Sequence, residues 1–84
     1  MIGKPEIREF IRKLIAGYGD DEPINDDDSL LNSGRLQSID AVEIVIFLET
    51  RFGIDFAAIG FDRDRIDSID AIYSLAESAS NGQV

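Results

Sequence analysis

Ser38, Asp40 and Glu43 cluster where a glycine-led loop runs into an apolar stretch, Gly34-Arg35-Leu36-Gln37-Ser38-Ile39-Asp40-Ala41-Val42-Glu43. A serine at that junction can cap a helix by accepting a first-turn N–H, and Asp40 adds negative charge against the positive end of the helix dipole. Paired carboxylates are also equipment for acid–base catalysis, but nothing in their setting points to a deep pocket or a perturbed pair. The 84-residue chain has no cysteine and no histidine. It therefore lacks a thiol nucleophile, a thiolate metal site and the usual proton shuttle near neutral pH. No catalytic residue is expected. A second acidic cluster, Asp20-Asp21-Glu22 followed by Asp26-Asp27-Asp28, invites a calcium-loop reading. The EF-hand order of alternating oxygen ligands, a glycine and a distal glutamate is not met in any window, so no dedicated metal site is expected. Weak, unselective divalent binding that relieves repulsion is.

The elements that must position these residues read as helices. Pro5 suits a first helical turn, and Ile7, Phe10, Ile11, Leu14, Ile15 and Tyr18 follow at helical spacing, with Arg8, Arg12 and Lys13 outside. Gly17 and Gly19 end this helix. The connection from Asp20 to Ser33 is long for a compact domain, a length often associated with function. Leu30, Leu31 and Leu36 are expected to pin it to the core. Ser38 then opens about four turns of helix that close at Gly53, which can take the left-handed conformation past the cap, with Ile54 folding back on Leu48. Inside, Ile39, Val42, Val45, Ile46, Glu49 and Phe52 recur every three or four residues, and Ala41, Ile44, Phe47 and Leu48 widen the arc beyond one core stripe. Part of that arc must be buried by several neighbours or face a partner.

Ile54-Asp55-Phe56 and Ala57-Ala58-Ile59 read as a short extended return, and Phe61 to Ile66 as one helical turn with an Arg63–Asp67 pair. Asp67 or Ser68 caps a last helix whose stripe is Ile69, Ile72, Tyr73, Ala76 and Ala79. Residues 80–84 should fray. The expected fold is all-α: a small bundle of three main helices plus one short helix, one domain over 1–84, with a long loop between helices 1 and 2.

Seventeen acidic and eight basic residues give a net charge of -9. Residues 20–50 hold nine of the acids and one base, Arg35, while residues 4–13 hold four of the bases. Such a chain repels nucleic acid and anionic lipid and attracts basic protein surfaces, with the acidic half as the docking side. Self-repulsion there should limit stability, so salt or magnesium should raise the melting temperature. No apolar run approaches the ~20 residues needed to span a bilayer, and no signal-peptide core opens the chain, so a cytoplasmic monomer is expected.

Ser38-Ile39-Asp40-Ala41-Val42 has an echo 30 residues on, Ser68-Ile69-Asp70-Ala71-Ile72. Two copies do not make a solenoid. The economical reason is local, since this order starts a helix with its first apolar residue inward, and a serine there need do no more than cap.

Leu31-x-x-Gly34-x-Leu36-Gln37-Ser38-Ile39-Asp40, continuing into Val42-Glu43-Ile44-Val45 and Leu48-Glu49-x-x-Phe52-Gly53-Ile54, resembles the acyl carrier proteins and their aminoacyl- and peptidyl-carrying relatives. The resemblance covers nearly the whole chain. The Gly34-x-Leu36-x-Ser38 approach is closer to free-standing carriers of the D-alanyl or specialised acyl type than to the housekeeping fatty-acid carrier.

The resemblance implies that Ser38 receives 4′-phosphopantetheine from coenzyme A, through a phosphopantetheinyl transferase that supplies the magnesium. Cargo then rides as a thioester on the arm, passed between loading ligases or transferases and downstream enzymes of lipid or secondary-metabolite biosynthesis. Asp40, Glu43, Ile46 and Glu49 are the expected partner contacts. Two positions depart from the pattern. Gln37 stands where the family usually has aspartate, which puts recognition by a general transferase in question. Phe47 stands where fatty-acid carriers often have a small residue, so its ring either narrows an acyl cavity or simply packs in the core. The rival reading is an unmodified acidic helical module, an adaptor or inhibitor of a basic partner. It accounts for the charge and the broad apolar arc but not for the glycine-led approach to Ser38.

Overall fold

A computed structural model describes residues 3–81. The elements run in the order α1 (Lys4–Ala16), α2 (Ser38–Phe52), α3 (Phe56–Ile59), a 3₁₀ turn (Arg63–Ile66) and α4 (Ile69–Asn81), with no strand among the described residues. The all-helical bundle and the long loop between α1 and α2 are as the periodicity implies. α4 is described as far as Asn81, so the fraying expected from residue 80 falls largely on residues outside the described range.

α1 begins with Pro5 in its first turn, where a missing N–H costs no intrahelical bond. Its stripe buries Ile7, Ile11 and Ile15 against α4, which contributes Ile69, Ile72, Leu75 and Ala76. α2 presents Ala41, Ile44 and Leu48 to the same core. It ends at Gly53, whose backbone is left-handed (φ 71°, ψ 25°), and the Ile54 N–H reaches back to the Leu48 carbonyl at 3.4 Å. An L side chain at this φ would be strained, which is why the helix closes on glycine. Ile54 then drops into the core.

Two expectations for the return segment change. Residues 56–59 are a helical turn, not an extended run, because the Asp55 carboxylate accepts the Ala57 N–H at 3.0 Å and caps the turn. Among the described residues Arg63 and Asp67 do not pair, because the Asp67 carboxylate turns inward to hold the α1–α2 loop. It accepts from the Ser29 hydroxyl (2.7 Å), the Leu31 N–H (2.7 Å) and the Asn32 N–H (3.1 Å). Leu30, Leu31 and Leu36 are buried, so the loop is anchored both by apolar side chains and by this carboxylate. A third anchor is Arg8 on α1, whose guanidinium meets both Asp26 oxygens at 2.8 and 2.9 Å. The supposedly solvated basic face of α1 thus holds part of the acidic loop.

α1 and α2 are joined by side chains. Phe10 stacks on Phe47 with ring centroids 4.0 Å apart and planes 7° apart, and Phe52 meets Phe47 edge-on. Glu6 pairs with Arg51 nearer the other end of α1.

Candidate functional site

The two halves of the sequence echo sit differently. Ser68 is the residue before α4, and its Oγ accepts the Ala71 N–H at 3.0 Å. It is a cap. Ser38 is one residue further in, the first residue of α2, because Gln37 occupies the capping position. The cap at α2 works in the opposite direction: the Asp40 carboxylate reaches back and accepts the Gln37 N–H at 2.8 Å. That reciprocal half of a capping box relieves Ser38 of the duty. Its hydroxyl is exposed and makes no hydrogen bond to any described residue. The expectation that Ser38 itself caps the helix is corrected.

Asp40 is also corrected. It is 6% exposed, and its Oδ2 accepts both the Gln37 N–H and the Tyr18 hydroxyl, the latter at 2.5 Å. A carboxylate so engaged is not offered to a partner. Donation to Asp40 raises the Tyr18 pKa above its ordinary value, with partial burial acting the same way. Glu43, Ile46 and Glu49 are on the surface as expected, Ile46 being 47% exposed. Ile39 (62%) and Val42 (51%) join it, so the breadth of the apolar arc resolves into a core stripe and a separate exposed stripe.

Beside Ser38 lies an open groove of about 380 Å³, lined by Ser38, Ala41, Val42, Val45, Phe61 and Arg63. Its floor is apolar, and Arg63 is the charged side chain on its wall. Ser38, Val42 and Val45 share this flank through their spacing of four and three. Phe47 falls on the opposite flank, in the ring stack with Phe10, and does not line this groove. The sequence marks Phe61 and Arg63 only as part of a helical turn and does not place them beside Ser38. Phe61 belongs to no helical stripe, and an exposed aromatic outside any periodic pattern was the available signal.

The acidic loop forms no group of residues able to hold a metal among those described. Its carboxylates are partly consumed within the fold. Arg35 clasps Asp20 at 3.1 and 3.3 Å and also donates to the Glu22 and Pro23 carbonyls. The Asp20 carboxyl is held below its usual range chiefly by Arg35, and that of Asp26 chiefly by Arg8. None of the described helices is long and apolar enough to cross a membrane.

A small helical bundle with a long anchored loop, and an exposed serine at the head of its second helix, fits a carrier-type domain. Consistent with this, the chain is 31% identical over 78 residues to the D-alanyl carrier protein of Leuconostoc citreum (strain KM20), covering 93% of this chain and 96% of that one. The chain belongs to the acyl carrier protein family. No family model matches it, and no solved structure matches it significantly.

Proposed function

We propose that this chain is a carrier whose Ser38 bears 4′-phosphopantetheine, with an acyl or aminoacyl group shuttled between partner enzymes of lipid or secondary-metabolite biosynthesis. The observation that carries this reading is the contrast between the two serines: Ser68 is occupied as a cap, while Ser38 is exposed and unbonded. The residues around Ser38 fit such a group. The first-turn N–H groups and the dipole of α2 favour a phosphate at that oxygen, and the one acid in the turn, Asp40, points its charge into Tyr18 and Gln37. When bound, the arm supplies a terminal thiol on which cargo is held as a thioester. The protein itself holds the arm's root still, and with no cysteine or histidine it offers that thioester no internal thiol or imidazole nucleophile.

Glu43, Glu49 and Ile46 remain on the outward side of α2 as contacts for the phosphopantetheinyl transferase, the loading ligase or transferase and later enzymes. Carboxylates around an exposed aliphatic suit basic docking surfaces, which act more through encounter rate and register than through intrinsic affinity. The carrier of Leuconostoc citreum, named for D-alanyl, makes an aminoacyl cargo the first to try.

Intact mass after incubation with coenzyme A and a phosphopantetheinyl transferase tests the reading. A gain of roughly 340 Da, set by the covalent composition of the arm, is expected in the wild type and in Ser68→Ala. It is expected to vanish in Ser38→Ala. No gain with either a general transferase or one from the protein's own host leaves the unmodified acidic module as the better account.

A further inference from the structure

Five of the eight basic side chains are in ion pairs: Lys4 with Asp26 and Asp70, Arg8 with Asp26, Arg12 with Glu9, Arg35 with Asp20 and Arg51 with Glu6. Lys13, Arg63 and Arg65 have no ion pair or side-chain hydrogen bond among the described residues. Of the three, Arg63 alone lines the groove that Ser38 opens into, while Arg65 lines a different depression with Asp55, Ala58 and Leu75.

We infer that Arg63 is a positioning residue for the phosphodiester of an arm on Ser38, its guanidinium pairing with the phosphate across the groove. The inference rests on the reading of Ser38 as the attachment site. The group nearest Ser38 Oγ in such an arm is the phosphate, so a side chain sharing the serine's groove meets that charge before any distal part of the arm. A guanidinium presents two parallel N–H groups to phosphate oxygens, which fixes orientation as well as charge. The rest of the groove wall, Ala41, Val42, Val45 and Phe61, offers the phosphate no competing donor side chain. The 3₁₀ turn carrying Arg63 is itself fastened: Asp62 accepts the Asp64 N–H at 3.0 Å, and Ile66 at the turn's end is fully buried. Arg63 is thus held on a fixed support, and its exposed side chain keeps the reach to find the phosphate. The pair is exposed, so salt screens it.

The test uses the full chain converted to the arm-bearing form, with conversion verified by intact mass. In the wild type, the Arg63 Nε–H resonance should shift on conversion and that of Arg65 should not. The phosphodiester ³¹P resonance should move in Arg63→Gln and stay at the wild-type position in Arg65→Gln, which removes the same charge two residues away. Added salt should move the wild-type ³¹P resonance toward the Arg63→Gln position and leave the variant unchanged. Full conversion with an unresponsive Arg63 Nε–H and coincident ³¹P resonances overturns the inference while leaving Ser38 as the attachment site. A wild type that gains no mass overturns the attachment reading and this inference with it.

Discussion

The Tyr18 hydroxyl donates to the Asp40 carboxylate at 2.5 Å, tying the turn after α1 to the first turn of α2 across 22 residues of chain. Asp40 uses the same oxygen to accept the Gln37 N–H, so one buried carboxylate starts α2 and fixes its distance from α1. Asp40→Ala should cost about 1–2 kcal/mol, the range for losing a helix cap, with more if Tyr18 is left unpaired. Tyr18→Phe should lower the urea midpoint by less, because the Gln37 N–H still satisfies Asp40. Since the Tyr18 pKa is raised in the fold, its contribution is intact below about pH 10 and fades as pH rises through the higher folded value. Glu43→Gln, exposed one turn further along α2, should change stability by no more than about 0.5 kcal/mol. Equal midpoints for wild type and Tyr18→Phe would show that the hydroxyl does not hold the turn.

Ser38 and Ser68 should separate stability from modification. Ser68→Ala removes a cap whose Oγ accepts the Ala71 N–H, and should cost about 1 kcal/mol. Ser38→Ala removes an exposed, unbonded hydroxyl and should stay within about 0.5 kcal/mol of wild type. Urea denaturation of both variants checks this. A large loss in Ser38→Ala would mean that its hydroxyl has a structural bond and is less available for attachment than its exposure implies.

Asp67 should give the protein an acid limit. Burial works against its charge, but the Ser29 hydroxyl and the Asn32 and Leu31 N–H groups outweigh it, so its carboxyl sits below the usual range. A carboxyl whose folded pKa is depressed contributes stability that is present above about pH 3.9 and is lost as pH falls through the folded value. Asp67→Asn should therefore be less stable than wild type at neutral pH, with the gap closing below about pH 4. Urea midpoints measured from pH 7 downward would reveal it. A gap that stays constant across that window would assign Asp67 a role independent of its charge.

What could be read from the chain alone follows the range of the interactions. The stripes of α1 and α4 and the glycine closing α2 are set by neighbours within a few residues, so Ile7, Ile11, Ile69, Ile72 and Gly53 fall where periodicity and capping put them. α3 is four residues long, too short for a period, and is decided by the Asp55 cap. Asp40 and Asp67 were misplaced for a common reason. Their partners Tyr18, Ser29, Leu31 and Asn32 lie 22 to 38 residues away, and a carboxylate looks solvated until the chain brings a donor to it. The place of Ser38 at the head of α2 was legible because a glycine-led approach to a helix start is local. Its groove was not, since Phe61 and Arg63 arrive from another element.

Arg35 is the one base between residues 20 and 50, and it is bonded to the Asp20 carboxylate and the Glu22 and Pro23 carbonyls. That fork closes the acidic loop onto the approach to α2. Arg35→Gln should lower the melting temperature and speed amide exchange in the loop's Asp20–Glu22 end. Arg35→Lys should not restore either, because an ammonium cannot span a carboxylate and two carbonyls at once. Salt acts on two opposed terms. It screens exposed pairs such as Arg12–Glu9, worth little in water, and it screens the repulsion of a chain carrying -9. The second should win, so moderate salt raises the wild-type melting temperature, and raises that of Arg35→Gln further because its loop acids have lost their cation. Thermal melts of both proteins across a salt series decide it. A fall with salt in both would mean that the internal ion pairs, Arg8–Asp26 and Arg35–Asp20 foremost, outweigh the repulsion they sit among.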